Sequence, residues 1–303
     1  MGERYFNPIL YHHFTVTLGM SYKKIDVHQH SNPARYLPDG SLQPNFVTGK
    51  PSKSTTDEEI LLHTLEYMDK HNIEKSVLSW SLETVYKWMD YAPDRFIPGV
   101  LIGEAVLQQP YYDPEKLRDE IEAGKIRFMG EIAAQYDGVP PNDPLLDPYF
   151  ALAVEYDLPV LIHCHGLGGL NPTFRCRDGN PLLLEDVLVK YPNLRIYVEN
   201  AGFPFLGEMM ALMMQYPKVY ADLSTISWLI PRKVFYDYFE RLMDSACYGF
   251  GEPMAKRLLF GSDQMVWPET IEWAVEAIEE APFLTEEQKQ DIFYNNAKRF
   301  LKL

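Results

Sequence analysis

Residues 24–30 read KIDVHQH and residues 158–166 read LPVLIHCHG. Each is a short apolar run that closes on a His-x-His pair. Apolar runs of this length bounded by polar residues read as buried strands. Successive strand side chains alternate between faces, so His28 and His30 share one side while Gln29 points away. His163 and His165 repeat the arrangement around Cys164. A doubly wound open sheet would instead carry a glycine-rich phosphate turn after its first strand. Here the first strand ends in His-Gln-His.

Outward from these two runs the chain keeps alternating between strand-like and helix-like stretches. KIDVH (24–28) precedes a helix from Asp57 to about His71, capped by Thr55 or Thr56 with acidic residues in its first turn. KSVLS (75–79), RFIPGVLI (95–102), IRFMGEI (126–132), LPVLIH (158–163), LRIYVE (194–199), KVYADLS (218–224) and RLLFGS (257–262) are each followed by an amphipathic or apolar helical stretch, and a last helix is expected from Thr285 to about Leu301. Strand starts run from about 24 to about 257, roughly 33 residues apart, the size of one βα unit. Eight such units without a composition shift predict a single-domain α/β fold, a closed (β/α)8 TIM barrel over residues 24–303. Residues 1–23 read as an N-terminal extension. They have no apolar h-region and no A-x-A site, they contain His12-His13, and Met20 stands where a shorter version of the chain would begin.

Composition narrows the function. The 303 residues are 46% hydrophobic and 23% charged, which suits a globular chain with a large core. No apolar run approaches the ~20 residues of a membrane span. A net charge of −15 disfavours phosphate backbones, so neither nucleic acid nor membrane is an expected partner. A small-molecule substrate is expected, and a homo-oligomer is left open. Cys164, Cys176 and Cys247 are too few and too odd for a disulfide framework. They fit a reducing, cytoplasmic setting.

The chemistry-bearing residues fall at strand ends. Of eight histidines, four lie at predicted strand C-termini. Glu131 ends strand 4 in MGEI, and Asp263 ends strand 8 in FGSDQ. A barrel gathers these ends into one mouth. Imidazoles with carboxylates suit zinc, manganese, iron or nickel, and burying them together without a cation would be costly. Two long stretches, 31–55 and 166–181, also follow strand C-termini and read as functional loops. They bring Arg35, Arg175 and Arg177, whose forks suit a carboxylate or phosphate. Trp80, Trp228, Trp267 and Tyr136 are candidate pocket walls. Met209, Met210, Met213 and Met214 read as core.

IDVHQH, LPVLIHCHG, NLRIYVENAGFP, RLLFGSDQMVWPE and NNAKRFLKL resemble the metal-dependent hydrolases of the amidohydrolase superfamily, over residues 24–303. The H-x-H near the start and the G-S-D on the last strand are the most specific parts. The resemblance implies a metal held by His28, His30, His163 and Asp263, with Glu131 as a further carboxylate ligand. Zinc is the expected ion and manganese the alternative. It also implies hydrolysis of an amide, lactone or ester, with Asp263 moving the proton. The same resemblance covers decarboxylases of aromatic or muconate-type acids.

One departure stands out. Where the family carries a strand-6 histidine two residues before glycine, this chain has Asn200-Ala201-Gly202, preceded by Glu199. Asn cannot shuttle a proton and is a poor ligand beside imidazole. One tightly bound ion is therefore expected rather than two. His165 or Glu199 is expected to take over the missing task, so His165 joins Asp263 as a catalytic candidate. Arg35, Arg175, Trp80 and Asn200 are the substrate-binding candidates. A barrel that kept its metal or small-acid site and lost catalysis is the remaining alternative.

Overall fold

The computed structural model of the chain describes residues 22–104, 110–168, 171–244 and 253–303. His12-His13, Met20 and Cys247, with all but the last two residues of the expected extension, lie outside the described residues. Among the described residues there are two parallel sheets. One orders β1 (Lys24–His30), β2 (Ile73–Ser79) and β3 (Phe96–Pro98); the other orders β4 (Met129–Ile132), β5 (Val160–Ile162), β6 (Ile196–Val198), β7 (Val219–Asp222) and β8 (Leu258–Leu259). Backbone bonds stitch both seams. Val27 N–H donates to Phe260 C=O at 3.0 Å and His30 N–H to Gln264 C=O at 2.9 Å, joining β1 to the chain beyond β8. Arg127 N–H reaches Pro98 C=O at 2.9 Å and Ile102 N–H reaches Glu131 C=O at 2.8 Å, joining β3 to β4.

The lumen is filled from every strand. Ile25 and Val27, Val77, Ile97, Phe128 just before β4, Leu161, Tyr197, Tyr220 and Leu259 form one buried cluster with Ala297 and Phe300. That is the alternate-residue filling of a closed (β/α)8 barrel. The other faces of the strands pack on the helices through a larger apolar cluster. Helices α1 (Asp57–Lys70), α2 (Leu82–Tyr91), α3 (Pro114–Glu122), α4 (Asp147–Glu155), α5 (Glu185–Lys190) and α6 (Leu206–Gln215) follow β1 to β6; α7 (Ile226–Leu229) and α8 (Arg232–Asp244) follow β7. No helix among the described residues is long and apolar enough to cross a membrane.

Local chemistry starts these helices where the sequence indicates. Thr56 caps α1 by accepting Glu59 N–H, and the Thr55 hydroxyl bonds the Glu59 carboxylate. Two local details refine the expectations. The C-terminal helix runs from its Thr285 cap to Leu301 as expected but carries a π-turn at Asp291–Asn295 between α10 (Glu286–Gln290) and α11 (Asn296–Leu301), after α9 (Thr270–Glu279). Phe260 N–H takes the Ile292 carbonyl at 3.0 Å, and Asn296 Nδ2 bonds the carbonyls of Ala255 and Leu258, so barrel contacts compete with the helical ladder. In α6, Met209 and Met213, four residues apart, share the buried face, while Met214 is exposed because it lies one residue, about 100°, round the helix from Met213.

Candidate metal centre

At the C-terminal ends of the strands a cavity of about 620 Å³ opens. Its wall includes His30, Glu131, His165, Glu199, Asn200 and Asp263, with Arg35 and Phe46 from the 31–55 loop and Leu167 and Asn171 from the 166–181 loop. Both long loops thus build the mouth.

One half of the site converges on a point. His28 Nε2 lies 3.1 Å from His30 Nε2, 3.5 Å from Glu131 Oε2 and 3.5 Å from Asp263 Oδ1. His30 Nε2 lies 3.4 Å from Glu131 Oε2 and 3.1 Å from Asp263 Oδ1. All four residues are buried. Two ring nitrogens that close to each other cannot both carry a proton toward one another, whereas a cation between them satisfies both. The far nitrogens are already engaged: His28 Nδ1 lies 3.0 Å from Asp222 Oδ2, and His30 Nδ1 lies 3.1 Å from Ser79 Oγ. Asp263 sits here with φ of +47°, and Thr225 donates its hydroxyl to the outer carboxylate oxygen. Aspartate is among the few residues with a side chain that visit this region of backbone space.

The second half is built differently. His163 Nδ1 lies 2.8 Å from Glu199 Oε2 and 3.1 Å from Glu131 Oε1, and its Nε2 is buried without a hydrogen-bond partner among the described residues. The ligand set expected around a single ion is thus divided, with His163 facing the Glu131–Glu199 side. His165 Nδ1 accepts the backbone N–H of Leu167 at 3.0 Å, so in the neutral ring the proton is on Nε2, 3.1 Å from Glu199 Oε1. Gln135 brackets the backbone of His165, donating to its C=O at 2.8 Å and accepting from its N–H at 3.3 Å. Asn200 Oδ1 accepts from Ile226 N–H at 3.0 Å, and its Nδ2 donates to Glu199 Oε1 at 2.8 Å. The backbone turns left-handed at Asn200 and Ala201, which puts Glu199 on the cavity wall where the sequence lacks its histidine.

The electrostatics are those of a cation site. Burial opposes charge on His28, yet Asp263, Asp222 and Glu131 lift its pKa well above the imidazole range. His163 is likewise opposed by burial and raised to about 10 by Glu199 and Glu131. Burial would raise Glu131 and Asp263, but the imidazoles beside them hold both down. Imidazolium protons thus stand in for positive charge that a divalent ion would supply more compactly. Three overlapping donor sets lie within ion-binding reach: His28, His30 and Glu131; His163, His165 and Glu199; and His28, Glu199 and Asp263. The residues fit a divalent metal. His165 is the exception in charge: burial first, then His163, push its pKa well below the usual value, leaving a neutral N–H donor.

Other expected residues separate clearly. Arg35 reaches the cavity with its guanidinium 5.4 Å over the Trp80 ring, and Trp80 packs edge-on against His30. Tyr136 lines the cavity against His163. Arg175 does not join them: it is exposed, and its guanidinium turns back to the Thr173 carbonyl at 3.5 Å. Arg177 is also exposed. Asn200 lines the wall, but its amide is engaged with the protein on both sides. Trp228 and Trp267 are buried supports, bonded to the carbonyls of Ser262 and Gln43. Four residues escaped the sequence reading: Glu104, Asp222, Thr225 and Asp26. Asp26 ties Ser262 and the His28 backbone together beneath the site. Glu104, on the cavity wall, has its pKa pushed up to about 8 by burial and by Glu131. Asp222 in KVYAD ends β7, the signal that singled out Glu131 and Asp263, and Glu104 in LIGE follows the strand expected at 95–102 by two residues.

Fold and mouth together define a class: a parallel barrel whose strand ends gather a buried His–carboxylate cluster that could hold a metal ion. Within that class the chain belongs to the Amidohydrolase family, whose sequence profile matches residues 25–303. Solved structures with the same fold include an uncharacterized TIM-barrel protein from Bordetella bronchiseptica, at 20% identity and TM-score 0.69, covering 92% of this chain and 98% of that one. A probable 2-pyrone-4,6-dicarboxylic acid hydrolase from Acinetobacter baumannii, with citric acid bound, is 13% identical at TM-score 0.62, covering 93% and 100%. A 5-carboxyvanillate decarboxylase from Novosphingobium aromaticivorans, complexed with manganese, is 18% identical at TM-score 0.60, covering 94% and 97%. A search of curated protein sequences finds no match to the chain.

Proposed function

We propose that the chain is a metal-dependent hydrolase that cleaves an amide, lactone or ester of a small acidic molecule in the barrel mouth. The observation that carries this reading is the convergence of His28, His30, Glu131 and Asp263 within 3.5 Å contacts at the cavity wall. These four, with His163 across Glu131, would hold one tightly bound ion, zinc first and manganese second. A divalent ion there supplies Lewis acidity, acidifying a water and polarising a carbonyl oxygen. Asp263 faces the ligand pair with Oδ1 and is steadied by Thr225 through Oδ2. It takes the proton of the attacking water and delivers it to the leaving group. Glu199 is the second proton carrier, because burial and Glu131 push its pKa up to about 7. His165 then acts as an orienting N–H donor rather than a base. Arg35, held over Trp80, pairs with a substrate carboxylate. A reducing, cytoplasmic setting and a small-molecule partner complete the reading; Cys164 and Cys176 are both free thiols.

The decarboxylase reading is favoured by one observation, Arg35, which has no ion-pair partner among the described residues and is aimed at a cavity large enough for an aromatic acid. The non-catalytic reading is weakened by Glu199 on the cavity wall. The test is a metal-loaded screen of lactones, esters and amides of small mono- and dicarboxylic acids for acid release, run beside hydroxylated benzoates for CO2 release. Acid release that is lost with chelator is expected. CO2 release alone would replace hydrolysis by decarboxylation, and neither would leave a binder.

A further inference from the structure

Asp222 is buried at the end of β7 and its two oxygens do different things. Oδ1 accepts three donors: Asn200 N–H at 2.7 Å, the Ser224 hydroxyl at 2.8 Å and Ser224 N–H at 3.3 Å. Oδ2 faces His28 Nδ1 at 3.0 Å. Glycine 261 leaves the room: a Cβ on Gly261 would come within 3.0 Å of the His28 Cβ and 3.5 Å of Asp222 Oδ2. A carboxylate can only accept in such contacts, so in the neutral, metal-ligating ring His28 presents its proton on Nδ1 and its lone pair on Nε2, toward His30 and Asp263.

We infer that Asp222 is the positioning residue of the metal centre, setting the His28 tautomer from β7 while clamping the Asn200 turn that brings Glu199 to the cavity. The inference rests on the metal reading of the site. It makes a sharp demand on an isosteric change. In Asp222→Asn the oxygen must stay with the three donors at Oδ1, because rotating the amide would set N–H against N–H and O–H. The NH2 group then faces His28 Nδ1 and donates to it. The His28 proton is driven to Nε2, and its lone pair no longer faces the ligand set.

The experiment titrates cobalt(II) into chelator-treated native chain and Asp222→Asn, following the visible d–d bands, and records circular dichroism on both. Native-like dichroism with a 10–100-fold weaker cobalt affinity is the expected result. Equal affinity in the two proteins overturns this inference alone. No cobalt binding by the native chain overturns the metal reading and the inference with it. Should Asp222→Asn fail to fold, 15N spectra of histidine-labelled, zinc-loaded native chain decide, with His28 assigned by its loss in His28→Asn. A protonated Nδ1 supports the inference, and a protonated Nε2 overturns it.

Discussion

The first and fifth strands end in the same His-x-His pattern, yet the two pairs meet opposite partners. His28 Nδ1 faces a carboxylate, Asp222 Oδ2, while His165 Nδ1 faces a donor, the Leu167 amide. In the neutral ring one contact turns the lone pair inward, where a metal ion could take it; the other turns an N–H inward as a donor to Glu199. A histidine's role in a site is thus set at the nitrogen that does not face it.

The largest expected effect tests this difference directly. His28→Ala and His30→Ala should each strip most of the metal from the purified chain, whereas His165→Ala should keep about one ion, as read by elemental analysis after dialysis. Equal loss in all three would break the comparison. Next comes chemistry. Once an activity is in hand, Asp263→Asn should lower kcat by ~10²-fold or more, and a near-normal kcat would take Asp263 out of the mechanism.

The two histidine pairs should also differ in metal count. Because His165 presents a proton rather than a lone pair, zinc titration of the native chain should show one tight ion, with a second bound weakly. Asn200→His should strengthen the second, and Glu131→Gln in that background should cancel the gain. Two tight ions in the native chain would show that Glu199 and His165 already form a second site.

A smaller effect concerns pH. The Glu104 carboxyl, raised from 4.5 to about 8, holds its proton in the folded chain after the unfolded chain has lost it. Its contribution to stability is therefore full below about pH 4.5 and is lost as pH rises toward 8. In metal-free protein, Glu104→Gln should flatten the fall in Tm between pH 5 and 8 by roughly 2–4 °C, read by calorimetry. The smallest effect is at the rim. Arg175→Ala should change stability by less than about 0.5 kcal/mol and leave substrate KM unchanged, while Arg35→Met raises KM.

The barrel, and the gathering of most of the candidate site at its mouth, can be read from the sequence alone. Eight apolar runs at βα spacing can bury their surface together only by closing side by side, and polar residues at the C-terminal ends of those runs must then share one mouth. His28, His30, Glu131, His163 and Asp263 were legible for that reason. Tertiary structure decided what spacing cannot encode. Arg175 and Arg35 are alike as loop residues, but only Arg35 folds inward over Trp80. The last helix has an unbroken helical pattern, yet Phe260 claims one of its carbonyls from a distant strand. Glu199 reaches the cavity wall, at the place where the sequence lacks its histidine, through a left-handed turn held by Asp222, 22 residues beyond Asn200. Each of these depends on a contact between segments remote in sequence, and periodicity records only which face a residue is on, not which atom it meets there.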